Sequence, residues 1–174
     1  MITFDKPVKF GLIGGLFLVT YTVLLYAIDV SVFNPVFAII NGVVSFAIPI
    51  ILAVMAINKM REGDFGGKIT YLQALIAGAI TLLIAFYISN AFSYVLNGVI
   101  DPEYMPRKLD EMLLSLEGKV PEETLDEIIK GVESSLDHTK TLVKSIWLSP
   151  LIAIGISAIV SLFIKKNNTI DQVG

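Results

Sequence analysis

The chain has one histidine, His138, with Asp137 beside it and Glu133 about one helical turn earlier. An imidazole and two carboxylates on one helix face could hold a metal ion weakly. A zinc site or a two-histidine facial triad needs more nitrogen or sulfur than this. There is no cysteine, so thiolate nucleophiles, thiolate metal sites and disulfides are excluded. The dense carboxylates Glu122, Glu123, Asp126 and Glu127 lack the spacing of a calcium-binding loop, and they read, like Asp137 and His138, as a solvated face. The loop 58–70, N-K-M-R-E-G-D-F-G-G-K-I-T, puts Gly63, Gly66 and Gly67 before a helix as phosphate cradles do. It lacks the Lys-Ser/Thr ending that a phosphate loop requires, and Thr70 reads instead as a helix cap. Asp29 is the one charge close to an apolar stretch. It is a candidate external polar site, sensing a proton or cation at an outer mouth, or else a helix-ending residue hydrogen-bonded to Asn34. The residues indicate a protein that is not an enzyme and needs no cofactor or metal.

What must position these residues is mostly oil-like. Of 174 residues, 55% are apolar and 17% charged, against about 25% charged in soluble domains; mean hydropathy is +0.75. The formal charge of −3 leaves no electrostatic footprint for a nucleic acid. A bilayer core about 30 Å thick takes about 20 apolar residues in a helix, because lipid cannot satisfy exposed backbone groups. Four stretches qualify, at about 10–28, 35–57, 71–97 and 146–164. The last holds eleven Leu, Ile, Val or Phe, together favouring insertion by about 3–6 kcal/mol with no charge opposing them. The third stays uncharged to Ile100, longer than one crossing needs. The first could be a cleaved leader behind Lys6 and Lys9, but Asp29 stands where cleavage needs a small residue, so it reads as a retained anchor. The expected fold class is all-α: one integral membrane four-helix bundle over 1–174, with an external amphipathic two-helix hairpin, 101–144, between spans three and four.

Direction follows from Lys and Arg near the span ends. Lys6 and Lys9, then Lys59, Arg61 and Lys68, then Lys165 and Lys166 all fall on one side of four crossings. The opposite side receives 101–144, with six basic and eleven acidic residues. Both termini are therefore expected in the cytoplasm and the acidic segment outside. Tyr26, Tyr94, Tyr104 and Trp147 would lie at the outer interface.

Within 101–144, Pro106 suits a first helical position, and Met105, Leu109, Met112, Leu113 and Leu116 recur at helical spacing until Gly118. Pro121 restarts a second stripe of Leu125, Ile128, Ile129, Val132, Leu136 and Val143. With no firm breaker before Ser149, this helix is expected to run into span four. The two stripes would pair as a hairpin, either simply packed or docking a partner.

Small residues repeat at four-residue spacing in each span: Gly11 and Gly15, Ala38 and Gly42, Ala74 and Gly78, and Ala153, Ser157 and Ser161. Such faces let helices approach closely, here chiefly within the chain. Among the polar residues inside the spans, Asn41, Gln73 and Asn90 are the candidate intramembrane contacts, because an amide in hydrocarbon needs a partner.

The string G-G-K-I-T-Y-L-Q-A-L-I-A-G, Gly66 to Gly78, after its basic cluster, resembles a bacterial family of small four-span membrane proteins catalogued as domain of unknown function 4199. The opening K-F-G-L-I-G-G-L, Lys9 to Leu16, and the acidic helix leading into the last span, Glu122 to Lys166, are similar to that family's as well. The resemblance implies a bacterial inner membrane and the same topology. It brings no activity, substrate or catalytic residue. The expected role is a structural or accessory subunit whose partners are the bilayer and another membrane or periplasmic protein met through 101–144. The alternative is a small oligomeric transporter or channel for a weakly polar solute.

Overall fold

The computed structural model describes residues 4–30 and 35–164, without the side chains of 35, 122 and 132–135. Its elements are α1 (Asp5–Ala27), α2 (Pro35–Gly63), α3 (Tyr71–Val95) continued by a π-helical turn (Leu96–Ile100), α4 (Tyr104–Leu116), α5 (Glu122–Leu136) and α6 (His138–Ile164). Four of them, α1, α2, α3 with its π-helical continuation, and α6, are long and apolar enough to cross a membrane. Three of them outrun their oily stretch, because a helix need not stop where charge begins. α1 includes Asp5–Lys9, α2 runs on to Gly63, and α6 starts eight residues before Ile146.

α3 is the most buried span and α2 the least. The buried side chains of α3 are small (Ala74, Ala77, Thr81, Ala85), with Gly78 and one larger residue, Leu82, among them. Neighbours can therefore come close on both flanks, and α3 packs most extensively against α1 and α6. A Cβ at Gly11 would stand 2.8 Å from Ile84 Cβ, and one at Gly15 2.7 Å from Ile88 Cβ, so α1 runs parallel to α3 with its glycines against it. Thr81, fully buried, donates its hydroxyl to the Ala77 carbonyl at 2.9 Å and to the Pro7 carbonyl at 3.2 Å. On the other flank Gly78 faces Ser157, and Ser157 Oγ donates to the Leu75 carbonyl at 2.8 Å. The expectation of packing within the chain does not hold for Ala38 and Gly42: Ala38 is exposed, and a Cβ at Gly42 would meet nothing within 4 Å.

Local signals set the ends. Thr70 accepts the Gln73 N–H while the Gln73 side chain accepts the Thr70 N–H, a capping box that starts α3. Gly66 and Gly67 turn the preceding loop with φ of 59° and 86°, values that favour glycine. The loop is pinned, not open: Ile69 is buried with Ile57, Met60, Ala74 and Ala77, and Phe65, Val160 and Ile164 pack on this cluster. Lys6 Nζ reaches Asp64 at 2.6 Å and ties the start of α1 to the same end. Pro150 denies the Ile146 carbonyl its intrahelical donor, and the Tyr87 hydroxyl supplies one at 3.2 Å.

Two expectations for 101–144 are corrected. α4 begins at Tyr104, so Pro106 is its third residue, not its first. The second helix does not run into the last span. It stops at Leu136, and Asp137 Oδ1 accepts the Lys140 N–H at 2.9 Å, the side-chain cap of a new helix. Periodicity could not reveal this, because the apolar stripe continues across the break.

Candidate functional site

Two features stand at the end of the bundle where α1 finishes and α3 gives way to α4. The first is a clasp. α1 ends in a Schellman arrangement: the Asp29 N–H bonds the Tyr26 carbonyl at 3.1 Å and the Val30 N–H the Leu25 carbonyl at 3.3 Å. Asp29 holds the left-handed position with φ 52°. Its carboxylate meets Lys108 Nζ at 2.9 Å, its carbonyl accepts from the same ammonium at 3.3 Å, and Glu111 holds the other side at 2.9 Å. Lys108 is 2% exposed, so its charge is kept by partners and not by water. The Asp29 carboxylate, then that of Glu111, holds the ammonium above its ordinary pKa. Beside it, Arg107 grips Asp101 with two nitrogens at 3.2 and 2.8 Å, and the Tyr26 hydroxyl donates to Asp101 at 3.0 Å. The Arg107 guanidinium keeps the Asp101 carboxyl below its usual range. The Tyr26 and Tyr104 rings meet edge-on at 5.0 Å, and burial raises the Tyr104 phenol. Asp29 is thus a structural clamp on α4.

α4 is held, but α5 hardly touches it. A groove of about 490 Å³ remains between them, lined by Leu113 and Leu114 from α4, Leu125 and Ile129 from α5, and the carboxylates Asp110 and Glu117. Leu114 is 71% exposed. The expected stripe-against-stripe hairpin is therefore a pair of helices with an apolar slot between them.

The second feature is a largely apolar crevice with a few serine and asparagine side chains, in the same half of the bundle. Its deeper lobe, about 250 Å³, lies among Ser45, Phe46, Phe86, Ser89, Asn90 and Ser149, with Ser145 at its edge. A second cavity of about 210 Å³ shares Asn90 and Ser145 with it and is lined further by Ser93, Asn97, His138 and Met105. Asn90 Nδ2 donates to Ser149 Oγ at 3.1 Å. Asn97, in the π-helical turn, donates to the Ser93 carbonyl at 2.9 Å, and its Oδ1 is buried with no hydrogen-bond partner among the described residues. On the far side of Phe86 the helices close at Ala53, Leu82 and Ala153, each fully buried.

Of the three amides singled out from the sequence, the structure brings only Asn90 into this crevice. Asn41 accepts from Ser45 Oγ, four residues on, at 3.4 Å, and Gln73 belongs to the capping box. Thr20 and Thr22 bond back to the carbonyls four residues earlier. Ser145, Ser149 and Asn97 escape a sequence reading because only the antiparallel register of α3 on α6 gathers them. Of the weak metal grouping, Asp137 caps α6 and pairs with Lys140 at 3.1 Å, and no group of three metal-ligating side chains occurs among the described residues. The side chain of Glu133, Asn34 as the partner of Asp29, and Lys165 and Lys166 lie outside the described residues.

Four apolar helices around a small-residue core, with two amphipathic helices inserted before the last, define a small polytopic helical membrane protein. The chain belongs to the family described as protein of unknown function (DUF4199), whose model matches residues 9–166. No curated protein and no solved structure matches it.

Proposed function

We propose that the protein is a non-catalytic accessory subunit of a bacterial inner membrane that holds a segment of another membrane or periplasmic protein in the α4–α5 groove. The observation that carries this reading is a clamped α4 presenting Leu113 and Leu114 to a largely unfilled slot. Asp110 and Glu117 rim the slot, and the acidic excess of 101–144 gives the complementary occupant its character: an amphipathic segment with basic flanks. Both termini lie in the cytoplasm in this reading and α4 and α5 in the periplasm, supported by Lys6, Lys59, Arg61 and Lys68 at the opposite end. The absence of Asp, Glu, Lys, Arg and His from 35–57, 71–100 and 146–164 supports a role without catalysis. Gentle extraction and pull-down test it. A partner retained by the native chain and weakened about tenfold or more by Leu114→Asp, as loss of one buried leucine implies, is expected. Recovery of a lone chain overturns the reading.

A second reading, passage of a weakly polar solute, has the Asn90 crevice in its favour and the closure at Ala53, Leu82 and Ala153 against it. Solute flux in proteoliposomes that vanishes with Asn90→Leu would put it first.

A further inference from the structure

Asn90 and Ser89, which both line the deeper lobe of the crevice, carry hydrogen-bonding capacity that the chain leaves unused. Asn90 Nδ2 gives one of its two N–H groups to Ser149 Oγ at 3.1 Å. Its second N–H, its Oδ1 and the Ser89 hydroxyl meet no hydrogen-bond partner among the described residues, and neither oxygen is sealed off as Asn97 Oδ1 is. Ser45 and Ser145, by contrast, spend their protons on Asn41 Oδ1 at 3.4 Å and the Leu142 carbonyl at 2.7 Å. Capacity of both senses is therefore on offer: an N–H only donates, an amide oxygen only accepts, and a hydroxyl does either. Hydrocarbon supplies no partner for any of them.

The rest of the wall is apolar: Leu18, Phe46, Phe86, Leu148 and Ile152, with the two phenylalanine rings edge-on at 5.9 Å. No ionisable side chain lines this lobe, so an ion drawn into it would lose its hydration without a countercharge. α2 and α6 touch little, and Phe46 and Leu148 are both exposed on the bundle's outer surface, so the lobe opens sideways, toward lipid. Asn90 stands eleven residues before Asp101, about 16 Å of helix. That depth is the level of lipid chains, not of their headgroups. Past Phe86 the helices close at Ala53, Leu82 and Ala153, and an occupant stops there. The volume, about 250 Å³, is below that of sites enclosing a whole drug-sized ligand, about 300–1,000 Å³. It suits the polar end of a longer molecule whose hydrocarbon lies along the gap between α2 and α6.

We propose that the deeper lobe binds a lipid-soluble molecule with one uncharged polar group, a hydroxyl or a carbonyl, on a hydrocarbon body, and that Asn90 and Ser89 meet this group. A phospholipid does not fit, because its phosphate would have to sit among the chains with no cation beside it. The lobe shares no lining residue with the α4–α5 groove, so this inference stands or falls apart from the docking reading.

The test titrates the full chain in nanodiscs with dodecan-1-ol, dodecan-2-one and dodecane, and counts bound probe by native mass spectrometry. At equal mole fraction in the bilayer, the alcohol or the ketone should bind about threefold or more tightly than dodecane, as one net buried hydrogen bond implies. Dodecyl phosphate should displace neither. Preference for the alcohol alone identifies a hydroxyl-bearing ligand, and for the ketone alone a carbonyl-bearing one. Asn90→Leu should erase the preference over dodecane while dodecane still binds, a result that loss of packing would not give. Ser161→Ala, which alters a buried hydroxyl elsewhere in α6, should leave the preference intact. Dodecane binding as tightly as both polar probes, displacement by dodecyl phosphate, a preference that survives Asn90→Leu, or no bound probe overturns the proposal. The comparison of probes on the native chain decides it even if Asn90→Leu fails to fold.

Discussion

Asp29 occupies a backbone position that usually belongs to glycine. A left-handed φ costs an ordinary L-residue about 1–2 kcal/mol, and here the residue retained at φ 52° is one whose carboxylate holds Lys108. Asp29→Gly should therefore leave the end of α1 as stable or more so while loosening α4. Amide hydrogen exchange across Tyr104–Leu116 would show faster exchange in α4 with α1 unchanged; equal protection in both would remove Asp29 from the clasp. The glycines divide in the same physical way. Gly15→Ala forces a methyl group against Ile88 at 2.7 Å and should cost about 1–3 kcal/mol by overpacking. Gly42→Ala, with open space around it, should change stability by less than about 0.5 kcal/mol. Thermal melts of the two variants in detergent check the contrast, and equal losses would contradict the helix contacts described. Both glycines belong to the same sequence pattern, so the pattern marked close-approach faces without saying which of them the chain itself uses.

At the scale of elements, the clasp on α4 depends on pH. The folded Asp101 carboxyl lies below its ordinary value of 3.8, so its contribution is complete above that value and is lost as pH falls through the lower folded pKa. Lys108 lies above its ordinary 10.5; its contribution is complete below that value and is lost as pH rises through the folded one. Exchange in α4 should thus be flat from about pH 5 to pH 9 once corrected for intrinsic rates, rising only in stronger acid or base. A step near pH 7 would contradict the assignment. The break between α5 and α6 rests on one side chain, and Asp137→Ala should cost about 0.5–2 kcal/mol as a lost helix cap, read as fraying at the start of α6. The sequence made the four spans legible because twenty uncharged apolar residues have few other uses, and it made Thr70 legible because caps follow local rules. It hid the break at Asp137, where a carboxylate three residues before Lys140 looks the same as a solvated one. It hid the π-helical turn, which carries no residue signature, and the crevice, of which only Asn90 stood out as an amide.

For the molecule as a whole, α3 acts as the axle, with small residues on two faces against which α1 and α6 lie. α2 leans on the bundle mainly through its second half, where Pro49, Ala53, Ala56, Ile57 and Met60 are buried. Its first half displays Val36, Ile39, Ile40 and Val43 outward, as expected for residues that meet lipid chains. The end where α2 finishes and α3 begins is plugged by Ile57, Met60 and Ile69, and the opposite end carries the clasp, the crevice and the groove. The central claim is that these two ends face opposite compartments across four crossings, and the absence of cysteine makes it directly measurable. Single substitutions Glu117→Cys and Glu62→Cys are labelled in intact bacterial cells with a membrane-impermeant maleimide. Labelling of Glu117→Cys before lysis, with Glu62→Cys labelled only after it, is the predicted result. Labelling of Glu62→Cys in intact cells, or protection of both until lysis, would contradict it.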